Sequence, residues 1–164
     1  MRLSRRSEYG LRALIDLVHH QGQGPISLAA LSERNNLPRK FVEQILITLR
    51  NGGIVHSSMG AHGGYQLTPG ADQVTLGRII RLLDGALAPV GCVSLRFYEP
   101  CSCPDEDTCS LRAVMIDVRD AILDVLDRTT LAEAAARPGV HGLDPKGLYP
   151  GLTGDTFTGT GPGS

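Results

Sequence analysis

No stretch of this sequence approaches the roughly 18 to 20 consecutive apolar residues that a membrane-spanning helix needs. Met1 leads into a charged helical pattern rather than the apolar region of a secretory leader. Both absences argue for a cytoplasmic protein with no membrane partner. Cysteine is also confined: the four thiols are Cys92, Cys101, Cys103 and Cys109, and none lies elsewhere. A reducing compartment disfavours a disulfide framework, so thiols crowded into one segment point to metal ligation or redox chemistry. There is no C-x-x-C on a strand-helix unit, no phosphate-binding glycine loop and no Ser/His/Asp arrangement. The chain is therefore not expected to be an enzyme.

What is present is an ordinary soluble composition, 41% hydrophobic with 20 Gly and 10 Pro in 164 residues, enough for one or two small domains. The formal net charge of -1 hides a division. Residues 1–60 carry eight Lys and Arg against four acids, whereas the remainder carries eight against thirteen. A basic first part joined to an acidic second part suggests that only the first meets a polyanion.

Apolar residues Tyr9, Leu11, Ala13, Leu14, Leu17 and Val18 recur at helical spacing, predicting an amphipathic helix over about 5–20 that stops near "QGQGP". Ser27 is placed to cap a short second helix, "LAALSER". After the turn "NNLP", Pro38 suits the first position of a third helix ending at Gly52-Gly53. That helix is expected to turn Phe41, Val42, Ile45, Leu46 and Leu49 inward, with Arg39, Lys40, Glu43, Gln44 and Thr48 on its other face. Residues 54–57 and 65–67 can pair as strands around a glycine-rich hairpin. The predicted fold is mainly α: a winged helix-turn-helix with a two-stranded wing, plus a long C-terminal dimerisation helix. Its third helix suits the DNA major groove.

A fourth helix is predicted from Thr75 to Gly85, then a cysteine loop over 86–108. From Cys109 a long apolar stripe follows, Leu111, Val114, Met115, Val118, Ile122, Val125 and Leu126, with Asp117, Arg119, Asp120 and Asp124 on the polar side. The economical partner for that stripe is the same helix of a second subunit, since a two-fold homodimer matches the two halves of a palindromic operator. Residues 1–70 are thus expected to form the DNA-binding domain and 71–137 the sensor and dimerisation helices. Residues 138–164, with eight Gly and four Pro, are expected to form a disordered tail.

"SEYGLRALIDL", "ISLAALSERNNLPRKFVEQILITLRNGGIV", "GAHGGYQL" and "TLGRIIRLLDG", followed by a cysteine loop and a long helix, resemble a bacterial family over about residues 1–135. It is the family that includes the iron-sulfur cluster regulator and the nitric-oxide-sensing repressor. The resemblance implies a homodimeric transcription factor, a repressor by preference, whose affinity for double-stranded DNA follows an iron-sulfur cluster sensing redox, iron or nitric oxide status. It places Glu43 and Gln44 on the DNA-reading helix. Gln suits adenine and Glu suits cytosine, each good pair being worth about 1 to 3 kcal/mol of discrimination. Arg39 and Lys40 are expected at phosphates, with Ser27 and the wing's His62 as further DNA contacts. Met59 stands where the family's wing often has a basic residue.

The resemblance also implies that three cysteines ligate the cluster, [2Fe-2S] or [4Fe-4S], with Cys92, Cys103 and Cys109 as the favoured match and Cys101 as a replacement or a fourth thiolate. Some members place a His three residues after the last cysteine. Here Arg112 occupies that position, and a guanidinium cannot ligate. Other members use a carboxylate from the partner subunit's first helix, and Glu8 matches that position. Structural zinc, a cluster-free thiol switch, control by an enzyme partner, and a winged-helix adaptor that never touches DNA remain as alternatives.

Overall fold

The computed structural model describes residues 3–60 and 62–139. The expected tail over 138–164 lies outside the described residues from 140 onward.

Helix α1 (Arg5–His19) starts where the Ser4 hydroxyl accepts the Ser7 N–H, and packs Ala13, Leu14 and Leu17 inward. Ser27 caps α2 (Leu28–Asn35) by accepting the Ala30 N–H at 3.1 Å, as its position predicted. Asn36 then adopts the left-handed conformation, φ 50°, which Asn tolerates better than most residues. This turn aims α3 (Arg39–Asn51) across α2. Pro38 is the N-cap of α3 rather than its first turn, because its ψ of 120° is still extended.

Val42, Ile45, Leu46 and Leu49 of α3 are buried as expected. Phe41 is not: it is 39% exposed and meets Tyr9 of α1 edge-on, ring centroids 5.6 Å apart. A helix of this size buries a narrower arc than five adjoining apolar positions fill, and Phe41 falls at its rim. Gly53, φ +72°, turns the chain out of α3 into β1 (Val55–Ser58), paired antiparallel with β2 (Gly64–Leu67) so that Val55 faces Leu67 and Ser58 faces Gly64. The strands begin one residue later than expected for β1 and one earlier for β2. Ile26 adds a single antiparallel bridge to Tyr65, tying the start of α2 to the wing.

Helix α4 (Leu76–Asp84), capped by Thr75, lies against α1. The approach is close: a Cβ built on Gly10 would stand 2.6 Å from Leu83 Cδ1. Helix α5 (Ser110–Arg128) follows the cysteine loop and buries no residue at all. A sixth helix, α6 (Leu131–Ala136), closes the described chain. It was not expected, although "TLAE" at 130–133 is a capping box and forms one, Thr130 and Glu133 bonding each other's main chain. Its Leu131 is fully buried with Leu14, Leu31, Ile45, Leu46 and Ile79, in one core that spans α1 to α6 and excludes α5.

Candidate nucleic-acid interface and cysteine loop

The face of α3 opposite its buried side presents Arg39, Lys40, Glu43 and Gln44, all exposed. Their spacing follows from the 3.6-residue turn: burying 42, 45, 46 and 49 leaves 40, 43 and 44 outward. Two residues not anticipated from the sequence join this face. The Arg6 guanidinium donates to Thr48 Oγ at 2.7 Å, and Arg50 reaches Ser57 Oγ of β1 at 3.4 Å. Arg6 is thus a cation held beside α3 and Arg50 one held at its end; in the sequence both count only toward the basic charge of residues 1–60.

Behind α2, Asp16 accepts from Arg34 Nε at 3.1 Å and from Asn35 Nδ2 at 3.0 Å, while the Arg12 guanidinium donates to the Asn35 carbonyl. His20 caps the C-terminus of α1 and also sits 3.1 Å from Asp16. These contacts set the angle of α2 on α1, and so the presentation of α3. Ser27, Arg34 and the exposed His62 border one groove of about 390 Å³. Met59 at the wing tip is fully exposed and contributes no charge.

The cysteine loop, with one 3-10 turn at Gly91–Val93, draws its thiols together in a chain of neighbours. Cys103 Sγ lies 3.8 Å from Cys109 Sγ, and the Cys103 N–H donates to Cys101 Sγ at 3.2 Å. Cys92 is buried beside Cys101, and the other three are half-buried. Among the described residues no group of three or more His, Cys, Asp or Glu side chains is arranged to hold a single metal ion.

Their chemistry is differentiated. Cys109 is the N-cap of α5, and its sulfur accepts the Arg112 N–H at 3.4 Å. That bond, then the one from Cys103, holds the Cys109 thiol below the usual range. Cys103 is pushed up to about 12, first by its hydrogen bond to Cys101 and next by that to Cys109. Burial, followed by the electrostatic influence of Cys101 and then Glu106, raises the Cys92 thiol. The Glu106 carboxyl is lowered from its ordinary value because the Tyr98 hydroxyl and then the Cys101 N–H donate to it.

Arg112, where a ligand His would stand in part of the family, donates to the Cys92 carbonyl at 3.3 Å. Arg119 departs from its expected place on the solvent side of α5. It is 13% exposed and donates to the Val93 carbonyl at 2.9 Å, because the loop folds back over that face of the helix. Glu8, on α1, stays outward with its carboxylate 53% exposed and 3.8 Å from Arg12.

Among the described residues, no helix is long and apolar enough to cross a membrane. The family model Rrf2, "Iron-dependent Transcriptional regulator", matches residues 3–137. The HTH-type transcriptional regulator CymR of Bacillus subtilis is 39% identical over 136 residues, covering 83% of this chain and 91% of that one. The HTH-type transcriptional regulator IscR of Pectobacterium atrosepticum is 32% identical over 133 residues, covering 81% and 78%. The solved structure of CymR (YrzC), the global cysteine regulator of B. subtilis, superposes with a TM-score of 0.71 at 37% identity, covering 85% of this chain and 99% of that one. The winged helix, the outward face of α3 and the extent of these matches agree: the chain belongs to the Rrf2 family of DNA-binding transcriptional regulators and is not an enzyme.

Proposed function

We propose that the protein is a cytoplasmic, homodimeric repressor that binds a palindromic operator through two copies of α3 and is controlled by an iron-sulfur cluster on the cysteine loop. Residues 1–70 would read DNA, and residues 71–137 would sense and dimerise. The observation that carries this is the gathering of four thiols at the N-terminus of a helix, α5, that buries none of its own residues. A cluster with its thiolates is anionic. The α5 N-terminus and the Arg112 guanidinium supply opposite charge beside it.

The donor set fits in kind. Cys92, Cys103 and Cys109 are the proposed ligands, with Cys101 or the partner subunit's Glu8 completing the site. The carboxylate of Glu8 is exposed enough to be offered to a second copy. The cluster, [2Fe-2S] or [4Fe-4S], supplies a centre that redox change, iron shortage or nitric oxide can alter. A change there would reorder residues 86–108 and move the α5 pair that sets the distance between recognition helices. Cluster control requires the two cluster states to favour different arrangements of those helices.

Iron and acid-labile sulfide content, with the visible spectrum of protein purified without oxygen, tests the cluster. Iron and sulfide in matching amounts, lost in Cys109→Ala, are expected. Operator titrations test the reader. Glu43→Ala with Gln44→Ala is expected to reduce discrimination against a mismatched operator by about 10- to 100-fold while leaving the salt slope nearly unchanged. Equal weakening on every sequence would refute those two assignments.

A second reading is favoured by the 3.8 Å contact between Cys103 and Cys109. A hydroperoxide could oxidise the two thiols to a disulfide, itself becoming an alcohol and water, and so switch DNA binding without iron. Colourless protein whose operator binding falls on peroxide treatment and returns with dithiol would decide for it.

A further inference from the structure

Two side chains outside both the DNA-facing set and the ligand set bridge the cysteine loop from several sides. Glu106 accepts the Cys101 N–H through Oε1 at 2.7 Å and the Tyr98 hydroxyl through Oε2 at 2.7 Å. Its main-chain carbonyl accepts from the Cys109 N–H at 3.4 Å and from Arg112 Nη1 at 3.5 Å. The Arg112 Nε donates to the Cys92 carbonyl at 3.3 Å and stands 4.0 Å from the Glu106 carboxylate. Cys92, Cys101 and Cys109 are thereby tied to one pair of residues, and Cys103 is tied on through Cys101.

We propose that Glu106 and Arg112 form a clamp that holds the four thiols in register in the metal-free chain, so that position 112 serves as scaffold instead of ligand. At 4.0 Å the ion pair itself is weak, and the bonds to main-chain groups do most of the holding. Arg suits this work because its fork donates in two directions at once, to Cys92 and to the turn before α5. Lys, with a single ammonium, cannot span both. The clamp is a property of the metal-free loop, whereas its consequence for a cluster rests on the function proposed above. Groups that orient a metal's ligands typically change its retention by about 10- to 100-fold when removed.

The test uses the full metal-free chain, reduced and treated with iodoacetamide, with labelling of each cysteine followed by mass spectrometry. Glu106→Gln and Arg112→Met are both expected to speed labelling of Cys92 and Cys101 by about tenfold, the change in loop opening expected when a hydrogen bond to a charged group is lost. The two variants change local charge in opposite directions. Electrostatics alone would therefore speed one and slow the other, so faster labelling in both marks a lost clamp. Opposite effects, or rates equal to wild type, overturn the proposal. Tyr98→Phe, which deletes one hydroxyl, is expected to give the same direction with a smaller effect and covers the case in which Glu106→Gln fails to fold. In protein loaded with iron and sulfide, Glu106→Gln should shift the charge-transfer bands and bleach faster in air. Unchanged bands and bleaching would count against the clamp. Wild-type protein that takes up neither iron nor sulfide defeats the cluster reading alone, and the labelling rates then judge the clamp by themselves.

Discussion

The winged part of the molecule and the cysteine loop with α5 are built on opposite terms. In the first, Leu14, Leu31, Val42, Leu46 and Leu49 are fully buried within one chain, Ser4 and Ser27 cap α1 and α2, and the two wing strands pair along their whole length. In the second, α5 runs for 19 residues without one buried side chain, leaving Leu111 64%, Val114 54% and Val125 56% exposed. The loop before it exposes Leu95, Phe97 and Tyr98 as well. The first part, completed by Leu131 of α6, closes its core within one chain. The second is held by polar contacts to its own loop and leaves its apolar stripe for something else to cover.

The strongest way to break this contrast is to damage the closed part. Leu46→Ala removes a fully buried side chain from the centre of the core and should cost about 2 to 5 kcal/mol in denaturant unfolding. If the contrast holds, that loss is the same at low and high protein concentration. A loss that depends on concentration would mean that the core too is completed by a partner.

Next in size is the stripe. Val114→Glu with Val118→Glu puts charge on the open face of α5, where both residues are exposed in the single chain. The folded monomer should keep its helix content, while dimer affinity measured by sedimentation should fall by about 100-fold, the scale of a buried interface anchor lost. An unchanged dimer would move the interface elsewhere. A monomeric wild type would remove the reason for the stripe altogether.

How far the sequence disclosed these two parts follows the same division. Ser27, Thr75 and the glycines after α3 announced their elements because capping and left-handed turns are local chemistry. The alternation of buried and exposed positions along α3 was legible for the same reason, with Phe41 the exception at the rim. What was not legible depends on residues distant in sequence. Arg119 looked solvent-facing on α5 until the loop over 91–93 was seen to fold onto it. Arg112 was visible as a missing ligand, but its bond to the Cys92 carbonyl, twenty residues away, has no signature in spacing. Glu106 stands between Asp105 and Asp107, and nothing in that run marks it as the acid that the Tyr98 hydroxyl and the Cys101 N–H meet. The capping box at 130–133 marks the start of α6, and so the end of the long helix, by local chemistry alone.

The smallest expected effect lies where the two parts join. Arg81 of α4 and Asp127 of α5 form a two-point ion pair, at 2.6 and 2.7 Å, next to Gly77, where any side chain would collide with the Asp127 carboxylate. The hydrogen bond from Arg81 holds the Asp127 carboxyl below its ordinary value. A lowered carboxyl value means stability that is fully present above the unfolded value, near about 3.9, and lost as pH falls through the folded one. Because Asp127 is 40% exposed, solvent screening limits the pair to at most about 1 kcal/mol. Asp127→Asn should therefore melt slightly below wild type at neutral pH, and the gap should close in strong acid and shrink in high salt. A gap that persists unchanged in acid would assign Asp127 a packing role against Gly77 instead. A weak, salt-sensitive joint would let α5 shift against α4 at little cost while the closed core stays folded, which is what the proposed function requires of it.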